Sequence, residues 1–275
     1  MKLPAACCAA LAALLPAVAA AGSCDPPPGG LPIAAPLERF AAGIERGGPV
    51  TIVAIGSSST AGTGATSPDR AYPARLEAEL RARFPTLEVR VVNRGKGGED
   101  APEELARLPG DVVALHPDLA IWQVGTNAVL RRDDLTADAA LLRDGVALLK
   151  RNGIDVVMMD LQVAPRVLDR TAYPEMERLI AATADGEQVG LFRRFALMRY
   201  WQSSRAADAP PMVGPDGLHM TDAGYGCLAA DLAAALEANW RAETKLAHRD
   251  RAAADAVAAT ARPAPMRRND AGPFN

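Results

Sequence analysis

"TIVAIGSSSTAGTG" (residues 51–64) runs from a short apolar segment into a glycine and three consecutive serines. Residues 50–55 are dominated by Val and Ile, which suit a pleated strand buried on both faces. Strands of that kind build parallel sheets covered by helices. The serines then fall just past the carboxyl end of the strand, where open α/β sheets bind their ligands.

Outward from this segment the chain keeps alternating. Residues 72–84 carry Leu76, Leu80 and Phe84 at helical spacing. Residues 87–93 read as a strand, 101–108 as a helix, 110–118 as a further helical turn and 119–124 as the next strand. In the second half, 136–151 is an amphipathic helix with Thr136 as its expected N-cap and Asn152-Gly153 as its stop. Residues 154–161 suit another doubly buried strand, 173–188 a helix, 189–195 a last short strand and 221–240 a terminal helix. Strand–helix alternation predicts a central, mostly parallel five-stranded sheet with helices on both faces. No internal repeat is visible.

The 275 residues, 49% of them hydrophobic, suffice for one domain of about 200 residues with a sizeable core. The formal charge of −3 is spread over interspersed acids and bases, and only 4% of residues are aromatic. A nucleic-acid partner is therefore not expected, since it would call for a basic stripe or a stacking platform.

The N-terminus, "MKLPAACCAALAALLPAVAAAGSC", has Lys2 before an apolar stretch and small residues fitting A-x-A cleavage near 19–21. The stretch is Ala-rich and interrupted by Pro4 and Pro16, a poor membrane span. The expectation is a signal peptide over 1–21 and an exported mature chain, periplasmic or secreted, with no stable membrane span. Lipid attachment at Cys24 is the alternative, although Ala21 stands where lipoprotein signals usually carry Leu. Export permits disulfides. Of the four cysteines, Cys7 and Cys8 leave with the signal; Cys24 and Cys227 remain, which allows one bridge but no stapled scaffold, and Cys227 in an apolar helix is expected as a buried free thiol. A Pro/Gly-rich lead-in, with a short helix over 37–46, occupies 22–47. The main domain spans 48–243, and 244–275, short of periodicity, is expected as a disordered tail.

Alone, a serine-rich turn is most simply a helix N-cap. "GSSSTAGTG" has no lysine for a P-loop, no G-x-G-x-x-G spacing, and Thr60 where a G-x-S-x-G elbow needs its second glycine. A nucleophilic serine needs a base and an acid to orient that base. His116, before Pro117, reads as structural, and His248 lies in the expected tail. His219 in "PDGLHMTDAGY" stands three residues after Asp216, so one loop can join carboxylate and imidazole. Acyl transfer also needs oxyanion donors. "VVNRGKGGED" (91–100) and "WQVGTNAV" (122–129) supply loop glycines and Asn127, again after strands.

These four blocks, in order, resemble the SGNH hydrolases, the GDSL family of lipases and esterases. "GSSST" is similar to G-D-S-x-S/T and aligns the nucleophile with Ser58, leaving Ser57 where the family usually carries Asp. "NRGKGG" is similar to N-x-x-x-x-G and aligns Gly98 with the oxyanion glycine. "GTN" gives Asn127, followed by Ala128 where many members have Asp, and "DGLH" gives Asp216 and His219. The resemblance spans about residues 50–240. It implies a three-layer flavodoxin-like sandwich and an exported serine esterase acting on short acyl or acetyl esters. Ser58, Asp216 and His219 would form its triad; the Ser58 and Gly98 amides with the Asn127 side chain would form its oxyanion hole. No metal or organic cofactor is implied. Substrates would be small-molecule, glycan or lipid esters, and the lack of a long apolar insertion favours short or water-soluble ones.

An acyltransferase on the same site and a non-catalytic carbohydrate-binding domain are the rival readings. Glu99 and Asp100 read as a first-turn acidic pair at a helix N-terminus. Trp122 reads as core, and "RRFALMRYW" (193–201) as a surface-to-core segment. Ser59 receives no catalytic role.

Overall fold

The computed structural model describes residues 24–132 and 134–260; the expected signal segment and residues 261–275 lie outside them. In chain order the elements are α1 (Glu38–Glu45), β1 (Val50–Gly56), α2 (Ser58–Ala61), α3 (Tyr72–Arg83), β2 (Val89–Gly95), α4 (Ala101–Asp111), β3 (Leu119–Gln123), α5 (Thr126–Arg131), α6 (Asp138–Arg151), β4 (Asp155–Met159), α7 (Pro165–Leu168), α8 (Tyr173–Gly186), β5 (Gly190–Phe192), α9 (Arg194–Ser204) and α10 (Asp222–Thr260). The strands form one five-stranded sheet, ordered β2-β1-β3-β4-β5, parallel throughout.

β1 is the hinge of this topology. The chain leaves it for β2 on one side and returns for β3 on the other, so Ile52 pairs with Val91 and with Leu119. The strand order reverses there, which opens a crevice beyond the carboxyl end of β1. The doubly buried character read from the sequence follows from alternation across the pleat. Val50, Ile52 and Ala54 join a core with Phe40, Leu76, Leu80, Trp201, Leu228 and Leu232; Val53 and Ile55 join the opposite core with Leu108, Trp122, Leu142 and Ile180. Helices α1, α3, α9 and α10 cover the first face, and α4, α5, α6 and α8 cover the second. Each buried Ile or Leu contributes about 1.5–3 kcal/mol.

Three expectations are revised. Thr136 does not cap α6, whose N-cap is Ala137. The Thr136 amide and hydroxyl are both captured by Asp134 Oδ1, a local turn that competes with capping. The terminal helix runs to Thr260 rather than ending at 240, so it takes in residues expected as a disordered tail. Residues 244–260 are rich in Ala, the strongest helix former, whose propensity carries the helix on without an apolar repeat.

Cys227 is not a free thiol. It forms a disulfide with Cys24, with Cα atoms 5.0 Å apart across 203 residues of sequence. The lead-in is the reason: Leu31, Ile33 and Leu37 pack on the same core as α10, and Asn239 Nδ2 donates to the carbonyls of Ile33 and Ala35 at 2.9 Å each. That docking brings Cys24 to the helix. It also commits the sulfur that lipid attachment would have required. Among the described residues, no helix is long and apolar enough to cross a membrane.

Candidate active site

Ser57 occupies the N-cap position of α2, a single turn, yet its side chain caps nothing. Its hydroxyl and amide both point to Gln123 Oε1, at 3.4 and 3.3 Å, and Thr60 Oγ1 donates to the same oxygen at 3.2 Å. Ser58, the first residue of the turn, is half-buried. Its N–H belongs to a first turn without intrahelical acceptors and is paired with no other group among the described residues. Ser59 is buried, and the hydroxyl of Tyr225 donates to Thr63 O at 2.7 Å.

The loop 213–221 brings the other half of the site to Ser58. Val213 pairs with Met220 in an antiparallel bridge that closes the loop at its neck. Within it, Asp216 Oδ1 accepts the backbone N–H groups of Leu218 and His219, both at 3.0 Å. Asp216 Oδ2 lies 2.5 Å from His219 Nδ1, and His219 Nε2 lies 2.8 Å from Ser58 Oγ. One tautomer satisfies both ring contacts: Nδ1–H donates to Asp216, and Nε2 accepts the Ser58 hydroxyl. Burial alone would raise the Asp216 carboxyl; the bonds from the His219 ring and from the two amides outweigh it and hold the group below its usual value.

The quoted segment and this loop meet at Gly64. Its φ is +92°, and a Cβ there would stand 2.5 Å from Met220 O and 3.0 Å from His219 Cβ. Nearby, the Thr66 amide and hydroxyl donate to Asp222 at 2.9 and 2.6 Å, fastening the segment to the start of α10.

Gly98 has φ +83° and sits in a loop beside the serine; a Cβ on its neighbour Gly97 would lie 3.9 Å from Ser58 Cβ. The Gly98 carbonyl is held by Arg131, while its N–H is paired with no other group among the described residues. Asn127 Nδ2 donates to Glu99 O at 2.6 Å, leaving its second N–H for a ligand. The five residues singled out by sequence thus lie in the first turns of α2 and α5 and on the loops before α4 and α10, following the carboxyl ends of β1, β3 and β2 and preceding the last helix.

Glu99 and Asp100 are not a first-turn acidic pair. Asp100 is the N-cap of α4, in a capping box with Glu103, and its carboxylate pairs with Arg132 at 2.7 Å. Glu99 precedes the cap and pairs with Lys96 and Arg107. Trp122 is fully buried core, its Nε1 donating to Glu104 at 2.7 Å. His116 is exposed, with φ 46° at the turn before β3. In 193–201, Arg194 is fully buried and donates to Asp160 O and Gln162 Oε1. Gln123, Arg107 and Asp222 had no motif to announce them. Gln123 carried one signal, a polar residue at the end of an otherwise apolar strand. Among the described residues no cluster of three or more His, Cys, Asp or Glu is placed to hold a metal.

A family model, the non-GDSL lipase-like family, matches residues 23–241. An acetylxylan esterase from Geobacillus stearothermophilus is 38% identical over 80 residues, 29% of this chain and 33% of that protein. An arylesterase from Vibrio mimicus is 29% identical over 133 residues, 48% of this chain and 62% of that protein. The chain thus matches a third of one curated relative and about three fifths of the other. In fold it is similar to a two-domain esterase active on acetylated mannans, with a TM-score of 0.62 and 18% identity over 76% of this chain and 55% of that one.

Proposed function

From the premise that the chain belongs to the non-GDSL lipase-like family, matched over residues 23–241, we propose that it is an exported serine esterase hydrolysing short acyl or acetyl esters. One observation carries the reading: the relay from Ser58 Oγ through the His219 ring to Asp216, at 2.8 and 2.5 Å. Ser58 Oγ attacks the ester carbonyl carbon as His219 Nε2 takes its proton. Asp216, kept ionised, orients the ring and stabilises the imidazolium. The carbonyl oxygen becomes an oxyanion that accepts from the Ser58 and Gly98 amides and the Asn127 side chain. His219 then returns the proton to the departing alcohol. Water repeats the sequence on the acyl-enzyme and releases the acid.

Acetyl groups on glycans are the favoured substrate class, since one relative is named an acetylxylan esterase and one structural neighbour acts on acetylated mannans. Export is supported by the signal-type segment 1–21 and by a disulfide that an oxidising compartment would maintain. The test is hydrolysis of p-nitrophenyl acetate and acetylated oligosaccharides by the mature protein. Ser58→Ala, folded by circular dichroism, should lose turnover and labelling by a serine-directed fluorophosphonate. Full residual turnover in that variant overturns the reading.

A further inference from the structure

Arg107 lies on α4, outside all four blocks of sequence that define the site. Its guanidinium nonetheless reaches both strands from which the backbone oxyanion donors emerge. One terminal nitrogen donates to Gly56 O at 3.0 Å, the last carbonyl of β1, two residues before Ser58. The other donates to Arg94 O on β2 at 2.7 Å and to Asp111 Oδ2 at 2.9 Å. Nε bonds to Glu99 Oε2, and the second Glu99 oxygen meets Lys96 Nζ at 3.1 Å. Glu99 is itself the residue whose carbonyl takes Asn127 Nδ2, and its amide belongs to the peptide unit that follows Gly98. The Lys96 amide completes the frame by donating to Gly56 O at 2.9 Å.

We propose that Arg107 and Glu99 act together as positioning residues for the oxyanion hole, setting the spacing of the Ser58 amide, the Gly98 amide and the Asn127 side chain. The inference rests on the esterase reading and adds to it a pair that touches no substrate. Its physical basis is the number and direction of the bonds. Charge-assisted hydrogen bonds are roughly twice as strong as neutral ones, and here one guanidinium spends them on two strand ends and on the acid beside Gly98. An ion pair serving helix α4 alone would engage neither strand carbonyl. Without Arg107, the Glu99 carboxylate, 9% exposed, keeps a single partner on a lysine whose side chain is 72% exposed. Glu99 then turns toward water, its carbonyl leaves Asn127, and the Gly98 peptide loses its fixed orientation.

The experiment measures kcat and KM for p-nitrophenyl acetate with the mature protein carrying Arg107→Ala, Glu99→Gln and each of these combined with Asn127→Ala. Displacing catalytic groups by about 1 Å costs on the order of 100-fold, so Arg107→Ala should lower kcat by about 10- to 100-fold with KM within twofold. Guanidinium chloride at non-denaturing concentration should restore part of that kcat and have no effect on wild type. In the Asn127→Ala background the loss from either substitution should shrink, because one of the three groups they position is already gone. Glu99→Gln, nearly isosteric, reads the same quantities if Arg107→Ala does not fold. A folded variant with kcat within twofold of wild type, or losses that multiply independently of Asn127, overturns the proposal. Loss of Ser58 labelling and turnover in wild type itself would instead overturn the esterase reading beneath it.

Discussion

Gln123 Oε1 accepts from the Ser57 amide at 3.3 Å and from the Ser57 hydroxyl at 3.4 Å, joining the end of β3 to the turn that carries Ser58. Thr60 Oγ1 adds a third bond to the same oxygen at 3.2 Å. The family resemblance places an acid at position 57; in this chain a neutral side chain from the neighbouring strand supplies the acceptor instead. Gln123 is fully buried, so its oxygen is not shared with water.

Gln123→Leu should therefore damage the site and the fold together. It strands two buried hydroxyls and an amide, each lost partner costing roughly 1–3 kcal/mol. A fall in the urea midpoint with an unchanged m-value, and a lower kcat in the fraction that stays folded, are the expected results. A variant matching wild type in both would mean that the α2 turn is held without this oxygen.

The blocks holding Ser58, Gly98, Asn127, Asp216 and His219 were legible because each combines an unusual residue with a strand end or a loop. The inner strands β1, β3 and β4 were legible for a related reason, since mostly apolar runs have few other stable destinations, and β2 was legible from its alternation. Gln123 and Arg107 were not, because they act across 66 and 51 residues of sequence, on backbone groups that carry no signature of their own. For Cys24 the sequence allowed a bridge to Cys227 but favoured a free thiol, because the docking of Ile33 and Leu37 beside α10 is a long-range contact with no local signature. Thr136 shows the converse. Its sequence suits a cap, but Asp134 lies closer to hand, and local competition of this kind is hard to weigh from residue types alone.

Asn127 offers a cleaner test of the transition-state contact than Gly98, whose positive φ would strain any replacement. Asn127→Ala should lower kcat by about 100- to 1,000-fold, the usual loss for one oxyanion donor, with little change in KM. Steady-state kinetics on p-nitrophenyl acetate measures it. A rise in KM at constant kcat would place the amide on the ground-state substrate instead.

The Cys24–Cys227 bridge closes 203 residues of chain. In the chain-entropy model a loop of that length is worth up to about 5 kcal/mol, and native disulfides typically deliver about 2–4. Replacing both cysteines by serine should lower the free energy of unfolding within that range while kcat of the folded protein persists, since neither sulfur touches the Ser58–His219–Asp216 relay. Urea titration and activity on the same sample separate the two effects. Loss of activity at unchanged stability would contradict this account.

Glu104 should set a slope in the stability of the protein against pH. It is fully buried on α4 and accepts from Trp122 Nε1 at 2.7 Å. Burial pushes its pKa up to about 8 from 4.5, against the opposing pulls of the Trp122 bond and Arg107. In the unfolded chain the group ionises near 4.5, so between about 4.5 and about 8 the folded state holds a proton that the unfolded state has lost. Stability from this group is complete below that window and declines as pH rises through it, at up to about 1.4 kcal/mol per pH unit. Above the folded pKa the slope vanishes. Glu104→Gln keeps an acceptor for Trp122 and removes the titration, so wild type and variant should be close at pH near 5 and the variant the more stable near 8. Urea titrations across that range at constant ionic strength read the difference directly. Asp160, buried, and its half-buried neighbour Glu177, whose carboxyls are also raised chiefly by desolvation, leave part of the decline in both proteins. Only the difference between the two curves reports on Glu104, and parallel curves would show that it is ionised in the folded state.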